Sequence, residues 1–248
     1  MVGTGVSRLR TMPLPVGAFG VPPVSGYVAW YDAMDASSLT FSDGRVSQWS
    51  DKSGNGNHLV QATAASQPNY GLTNLNGLPA VGFDGANDNL SCATVTSSDR
   101  TFSWFAAMAV HSLNDISTVV GSGGGTGGLE LRITSNTPGD GHIIINKAGI
   151  STLSETSSSV VATASNPFVV AACLSDTDIT LYANRLSETD SNSTTFTSSR
   201  TLLVAFERTG GSRFARSHMG ELIGYDSTIG STDALKIIDY LMAKWGIV

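Results

Sequence analysis

The residue types that most often carry chemistry are few and scattered in this chain. The four histidines, His58, His111, His142 and His218, have no histidine or cysteine partner at the spacing of a metal-binding motif. A serine nucleophile is typically found in a Gly-x-Ser-x-Gly turn that leads into a helix, and no such segment occurs in that context. The glycine-rich segment 121–128 precedes a strand-like alternation, whereas a phosphate-binding loop opens a helix. These patterns predict neither nucleophilic catalysis nor a nucleotide site.

Two acidic pairs come closest to the arrangement of a glycosidase. Such an enzyme flanks the sugar bond with two carboxylates, and the candidates are Asp176 with Asp178 and Glu188 with Asp190. Both pairs lie among Ser, Thr and Asn residues, which are typical of solvated turns. We therefore predict that the chain is not an enzyme and that it has no catalytic residues.

A single acidic residue, Glu221, lies in an apolar strand-like segment. Strict alternation places it on one strand face with Met219 and Ile223. A carboxylate buried on such a face needs a hydrogen-bond or ionic partner. Arg213 and Arg216 are close in sequence, and we expect one of them to form a structural pair with Glu221.

Two segments rich in Asp, Asn and Gly are candidates for binding calcium, which takes clustered oxygen ligands. Asp51, Asn55 and Asn57 form one candidate set, and Asp84 and Asp88 form the other. Neither set has the spacing of an EF-hand loop, and the same residue types form tight turns without a metal. Calcium is therefore an optional cofactor in this interpretation, and plain turns are the alternative.

Charge and composition exclude two classes of partner. Lys+Arg 14 and Asp+Glu 20 give a net charge of −6, and the scattered basic residues do not form the positive surface that nucleic acid requires. No segment approaches the roughly 20 consecutive apolar residues of a membrane span. Cys92 and Cys173 lie in apolar segments, which favours buried free thiols, with a single bridge between them as the alternative.

Most of the chain has the pattern of an all-β protein. Short apolar runs recur between clusters of Gly, Asn, Asp and Ser, as in an antiparallel sandwich. Thr101–Val110 is apolar on both alternating faces, so we expect a central strand that is covered on both sides. The predicted strands are Tyr27–Tyr31, Arg45–Trp49, Ala80–Phe83, Thr101–Val110, Gly128–Ile133, His142–Asn146, Phe168–Leu174, Ile179–Ala183, Leu202–Phe206 and His218–Tyr225.

The C-terminal segment has the pattern of a helix instead. Leu235, Ile238 and Leu241 follow at helical spacing, which predicts a helix over residues 232–245 that packs on the sandwich. Ser231 is the expected N-cap, and Gly246 is the expected stop signal.

The first 25 residues differ from the rest of the chain. Prolines and glycines interrupt any apolar run, so the segment does not match a secretory signal and is predicted to be extended. It is more apolar than a solvated linker, which favours an arm that anchors on other proteins or on another copy, with a disordered tail as the alternative. Residues 26–248 are then one domain. The predicted anchoring residues are Leu9, Met12, Leu14, Val16 and Phe19.

Three stretches resemble the concanavalin A-like, laminin-G-like domains of phage virion and bacterial surface proteins. They comprise residues 28–33 with 44–57, residues 75–85, and residues 220–226 followed by 240–247, in the order that the family shows. The resemblance implies a two-sheet antiparallel jelly-roll sandwich with one concave sheet. Family members include sugar binders, protein binders and spacers, so it does not imply one function. Related glycosidases carry a Glu-x-Asp-x-x-Glu-type strand, which this sequence lacks.

If the domain binds a sugar, aromatic side chains are expected to stack against it. The candidates for such stacking are Trp30, Tyr70, Trp104 and Tyr182, with packing in the core or at a sheet edge as the alternative.

The sequence leads to a specific functional expectation. The fold usually works outside cells, but the chain begins with Met1 and shows no export signal. A structural or decoration protein of a tailed-phage virion, made in the host cytoplasm and released by lysis, reconciles these observations. Its partners would be other virion proteins and a host cell-surface glycan. The alternatives are a stand-alone extracellular carbohydrate-binding or adhesion module and, less favoured, a glycan hydrolase.

Overall fold

The computed structural model describes residues 20–95, 101–111, 117–123, 129–134, 141–147, 151–155, 161–162, 165–191, 200–204 and 216–248. The predicted anchoring residues of the N-terminal arm, Leu9, Met12, Leu14, Val16 and Phe19, lie outside the described residues. Arg213, one of the two partners predicted for Glu221, lies outside them as well. The arm therefore stays a prediction.

Two antiparallel sheets and one C-terminal helix make up the described part of the chain, which confirms the all-β prediction. Each predicted strand overlaps an observed one. In chain order the strands are β1 (Tyr27–Asp32), β2 (Leu39–Ser42), β3 (Arg45–Trp49), β4 (Leu59–Val60), β5 (Asn69–Leu75), β6 (Leu78–Asp84), β7 (Leu90–Val95), β8 (Phe102–Val110), β9 (Ser117–Gly123), β10 (Leu129–Thr134), β11 (Gly141–Lys147), β12 (Ser151–Glu155), β13 (Val161–Ala162), β14 (Phe168–Leu174), β15 (Asp178–Ala183), β16 (Leu186–Ser191), β17 (Arg200–Val204) and β18 (Arg216–Tyr225).

The two sheets differ in the number and order of their strands. The eight-stranded sheet has the order β16-β15-β14-β8-β18-β6-β5, and β1 also pairs with β18. The ten-stranded sheet has the order β12-β11-β10-β9-β17-β7-β4-β3-β2, and β13 pairs with β11. Strand β8 lies between β14 and β18, and its residues are buried apart from the partly exposed Trp104, as expected for a strand covered on both faces.

Buried residues from both sheets and from the helix form one hydrophobic core. Trp49 and Leu59 enter it from the ten-stranded sheet, and Phe105 enters it from the eight-stranded sheet. Burial of each large apolar side chain contributes about 1.5–3 kcal/mol. Cys92 and Cys173 are both buried thiols and no disulfide joins them, which confirms the thiol prediction.

The helix, α1, spans Ser231–Lys244, so it begins and ends one residue earlier than predicted. The prediction of Ser231 as N-cap is wrong, because Ala234 donates its N–H to the carbonyl of Gly230 and makes that glycine the cap. Gly246 ends the helix as predicted, with a φ of 62°. Among the described residues, no helix has the length and apolar character that would let it cross a bilayer.

Strand β18 changes its partner halfway along its length. Its first residues pair with β6, and its last residues pair with β1. A bulge at Gly220 separates the two halves, because Met219 pairs with Met108 whereas Glu221 pairs with the next residue of β8, Ala107. Adjacent residues of β8 point to opposite faces, so Met219 and Glu221 do too. The predicted shared face of these two residues is therefore wrong.

The bulge places Glu221 on the face that carries the helix, which we call the outer face. At Gly220 the chain passes directly beneath Trp245, and an added Cβ atom would lie 2.7 Å from the indole ring and 2.8 Å from Leu75. Glycine is therefore required where the end of the helix lies on the sheet.

We predict that Gly220→Ala lowers the free energy of unfolding by about 2 kcal/mol, the usual range for a side chain forced into a packed core. Gly20→Ala is the matched control, because an added Cβ atom at that position has nothing within 4 Å. Urea unfolding of both variants checks the prediction, and equal stability of the two would contradict it.

Candidate functional site

A half-open groove lies on the outer face, beside the helix and over β5, β6, β18 and the end of β8. Its volume is about 350 Å³. We call it the histidine groove, and its polar lining residues are Asn69, Asp84, His111, Arg216 and His218.

Strand register brings these residues together. His218 pairs with Gly82 of β6, which in turn pairs with Asn69 of β5. Arg216 pairs with Asp84 on one side, and its carbonyl accepts the N–H of His111 on the other side. Because directly paired residues share a face, five positions from four segments converge on one patch of the sheet.

Two glycines of the β6 segment make room for the groove residues. An added Cβ atom at Gly82 would lie 3.0 Å from the ring of His218, and one at Gly85 would lie 2.7 Å from the Cβ atom of Arg216. Both side chains therefore rest against backbone that has no side chain of its own. Gly85 also has a φ of 76°, which favours glycine in the turn after β6.

His111 and His218 form a contacting pair within the groove. Their rings are perpendicular, with centroids 4.4 Å apart, and Nε2 of His111 contacts Nδ1 of His218. Burial, followed by the positive charge of Arg216, lowers the pKa of His111. Burial, with His111 and Arg216, lowers the pKa of His218 to about 4. Both imidazoles are therefore neutral near pH 7, and one donates an N–H to the other.

Arg216 is the cationic residue of the groove, and its side chain is exposed. Among the described residues, no carboxylate lies within ion-pair distance of its guanidinium. Its cross-strand neighbour Asp84 is engaged elsewhere, since Oδ1 accepts the backbone N–H groups of Ala86, Asn87 and Asp88. Burial raises the pKa of Asp84, but these three donors outweigh it and hold the pKa below its ordinary value. The guanidinium is thus available to a ligand.

Beyond the bulge, the outer face holds a buried ionic group in place of a groove. The side chain of Glu221 is fully buried, and its carboxylate accepts hydrogen bonds from the Nε1 atoms of Trp30 at 2.8 Å and Trp245 at 2.9 Å. The hydroxyl of Tyr240 donates to it at 3.0 Å, and Nζ of Lys244 lies 2.7 Å away. We call this the Glu221 cluster, formed by Trp30, Asp32, Glu221, Tyr240, Lys244 and Trp245.

The ionic partner of Glu221 is Lys244, so the prediction of Arg216 is wrong, and Arg213 lies outside the described residues. Arg216 lies in the groove half of β18, on the other side of the bulge, while the helix brings Lys244 directly over the carboxylate. Nζ of Lys244 also lies 2.9 Å from Asp32. Complete burial raises the pKa of Glu221, and the charge of Lys244 opposes that rise. Both carboxylates are buried where the end of the helix meets the sheet.

The four aromatic residues predicted to stack on a sugar do not form a row. Trp30 and Tyr182 are only 5% and 3% exposed, so neither presents an open ring face. The ring of Trp104 rests on Gly224. Tyr70 is partly buried and lines the histidine groove, and its hydroxyl donates to the carbonyl of Ala33. Of the four residues, Tyr70 alone lies at this groove.

Tyr182 lies instead at a second groove, of about 360 Å³, between β15, β16 and the start of the helix. The polar side chains of this groove are mainly hydroxyls, including those of Thr180 and Thr189, which contact each other at 2.9 Å.

The first candidate calcium set organises its own loop. The carboxylate of Asp51 accepts from the N–H groups of Trp30, Ser53 and Asn57 and from the Ser53 hydroxyl, so both of its oxygens already have donors. The side-chain amides of Asn55 and Asn57 donate to the carbonyl of Val28. These contacts do not leave the oxygen cage that calcium requires.

The second candidate set contains a poorly compensated carboxylate. The side chain of Asp88 is fully buried, and its Oδ1 atom has no hydrogen bond, although Arg45 lies 3.5 Å away. Burial and the charge of Asp84 raise the pKa of Asp88 to about 6. Within the described ranges, no three His, Cys, Asp or Glu side chains are grouped as metal ligands. Calcium binding therefore stays a prediction.

Sequence reasoning did not identify the histidine groove. Asn69, Arg216 and the two histidines lie in no recognisable motif, and His111 and His218 are 107 residues apart. The pairing of β8 with β18 brings them together, and only the register of those strands could have revealed the site.

Comparison with solved structures finds similar folds at low sequence identity. Domain 4 of AbnA, an extracellular arabinanase of Geobacillus stearothermophilus solved with arabinotriose, matches with a TM-score of 0.62 at 12% identity, over 86% of this chain and 98% of that domain. The binding domain of botulinum neurotoxin serotype G matches with a TM-score of 0.59 at 11% identity, over 86% of this chain and 50% of that one.

A sialidase of Trypanosoma rangeli in complex with sialic acid matches with a TM-score of 0.59 at 14% identity, over 91% of this chain. The present chain spans 34% of the length of that enzyme. At such identities these likenesses establish the fold alone. No family model and no curated protein matches the sequence.

We predict that Asp88→Asn increases stability more at pH 7.5 than at pH 4.5. The folded-state pKa of about 6 lies above the ordinary value of 3.8, so the stabilising protonated form is lost as the pH rises through 6. The amide cannot ionise and avoids that loss. Melting temperatures at both pH values check this, with the exposed Asp43→Asn as a control of equal charge change. A gain from Asp88→Asn that does not depend on pH would contradict the prediction.

Proposed function

We propose that this protein is a non-catalytic carbohydrate-binding domain and that the histidine groove holds the sugar. The observation that carries the proposal is the convergence of five polar side chains on one open groove, beside a partly buried tyrosine. The groove volume of about 350 Å³ falls within the range of small-molecule sites, about 300–1,000 Å³.

The chemistry of the groove suits a ligand rich in hydroxyl groups. A sugar hydroxyl both donates and accepts, and it is best held by planar groups that offer a donor and an acceptor side by side. The amide of Asn69 offers both, and the imidazoles of His111 and His218 offer N–H and lone-pair positions. Arg216 adds donors in a fixed geometry. Such a set of donors and acceptors can fix the orientation of a ligand through hydrogen bonds.

The non-catalytic part of the proposal rests on where the carboxylates lie. In the groove, Asp84 is the only acidic lining residue among those described. Glu221 and Asp32, the carboxylates that face each other across Lys244, are buried. A glycosidase needs two carboxylates that reach one sugar bond, and neither place offers them.

The structural comparisons support a binding role over a catalytic one. Domain 4 of the arabinanase was solved with arabinotriose and matches over almost its full length, so a domain of this size and fold can hold an oligosaccharide. The sialidase that matches is about three times longer than this chain.

We also propose that the sandwich is of the concanavalin A-like, laminin-G-like kind.

The biological setting remains a proposal from the sequence. A virion structural or decoration protein of a tailed phage would display this domain for attachment to a host glycan and anchor it through residues 1–25. A stand-alone adhesion module is the alternative.

An optional calcium ion near Asp84 and Asp88 belongs to the same proposal, and a chelator-dependent melting temperature would support it.

We predict that the protein binds a subset of an array of bacterial glycans and that Asn69→Ala and His218→Ala each weaken binding about tenfold, as expected for the loss of one or two hydrogen bonds. Isothermal titration with the best array ligand checks this. Lys236→Ala, on the exposed face of the helix, is the matched control and should bind like the unmodified protein.

Two results would contradict the proposal. Absence of any glycan binding would remove the function. Full binding by both groove variants, together with a loss in Thr180→Ala, would move the site to the second groove.

A further inference from the structure

We propose that the histidine groove selects sugars that carry an acidic group, a carboxylate or a sulfate, which Arg216 binds beside the His111–His218 pair. This inference rests on the proposed function and narrows it to a ligand class.

Arg216 brings a positive charge to the groove. Its guanidinium lines the groove without a carboxylate at ion-pair distance in the described part of the chain. The planar guanidinium matches a carboxylate with two parallel hydrogen bonds and also binds sulfate-like oxygens.

The carboxylate that lines the groove, Asp84, is held by hydrogen bonds within its own turn. Oδ1 of Asp84 accepts three backbone N–H groups in the turn after β6, and Arg45 also acts on this carboxylate from outside the groove. Asp84 is therefore compensated by its own turn. The positive charge of Arg216 remains for an anionic ligand.

The His111–His218 pair is sensitive to charge in the groove. The ionisable groups beside it are Arg216 of β18 and Asp84 of β6, whereas Tyr70 of β5 pairs with Val81 on the opposite face of the sheet and donates its hydroxyl to the Ala33 carbonyl. Without a ligand, burial and then the positive charge of Arg216 lower the pKa of both imidazoles. A bound anion offsets that repulsion and favours the imidazolium, so binding takes up a proton and strengthens as the pH falls.

A divalent metal bridging the two imidazoles is the competing explanation for the pair. The same positive charge of Arg216 opposes a metal cation, and the described residues provide no third ligand of the His, Cys, Asp or Glu type in a group with these histidines. The geometry therefore favours the anion, and the metal becomes an outcome of the test.

The test compares uronate-containing oligosaccharides with the same oligosaccharides after reduction of the carboxyl group to an alcohol, by isothermal titration in buffer with EDTA. We expect the acidic form to bind about 10- to 100-fold more tightly at pH 6, as for one charge-assisted hydrogen-bond pair. Arg216→Gln should remove that preference, whereas Arg185→Gln, an exposed arginine that pairs with Asp239, should keep it. Between pH 7.5 and 5.5 the affinity for the acidic form should rise several-fold, and His218→Asn should reduce that rise.

The outcomes separate this inference from the proposed function. Equal binding of acidic and reduced sugars, with no effect of Arg216→Gln, overturns the acidic-group inference and leaves sugar binding intact. Absence of binding by either form, after a full array has also given none, removes the proposed function itself. Binding that appears only when Zn²⁺ replaces EDTA overturns the inference in favour of a metal site.

Discussion

The fully buried carboxylate of Glu221 is the interaction on which the arrangement of the outer face depends. This side chain of β18 accepts hydrogen bonds from Trp30 of β1, from Tyr240 of the helix and from Trp245 directly after the helix, and it pairs with Lys244 at the end of the helix. Three elements therefore meet at one carboxylate. Removing one partner of a buried ion pair typically costs about 3–5 kcal/mol, because the other charge is left unpaired. These contacts hold the helix on the half of the sheet that follows the bulge in β18. The half before the bulge carries the histidine groove.

The bulge at Gly220 divides β18 into these two halves. Past the bulge, the strand pairs with β1 and turns Glu221 towards the helix; before it, the strand pairs with β6 and presents Arg216 and His218. Gly82 and Gly85 leave the space that these two side chains occupy. Because of this one bulge, the Glu221 cluster and the histidine groove lie on the same face of the sheet. With strict alternation, His218 and Glu221 would point to opposite faces.

Much of the fold could be predicted from the sequence, and the site could not. Phe168–Leu174 is a strand with the predicted bounds, because a continuous apolar run between turn signals identifies a strand buried on both faces. Leu186–Ser191 was missed, since this edge strand is mostly exposed and polar and shows no apolar alternation. The burial of Glu221 followed from its apolar neighbours, but its partner depended on how the helix docks. The groove joins side chains that are far apart in sequence, so only strand register defines it.

The central claim is that a glycan occupies the histidine groove, and the most direct measurement is a ¹H–¹³C spectrum of the histidine ring signals during titration with the best array ligand. The chain has four histidines, so each signal can be assigned from a single-residue variant. We predict shifts of His111 and His218, with no shift of His58, whose Nδ1 accepts the N–H of Asp51 in a separate loop. Binding that leaves the His111 and His218 signals unchanged would contradict the account.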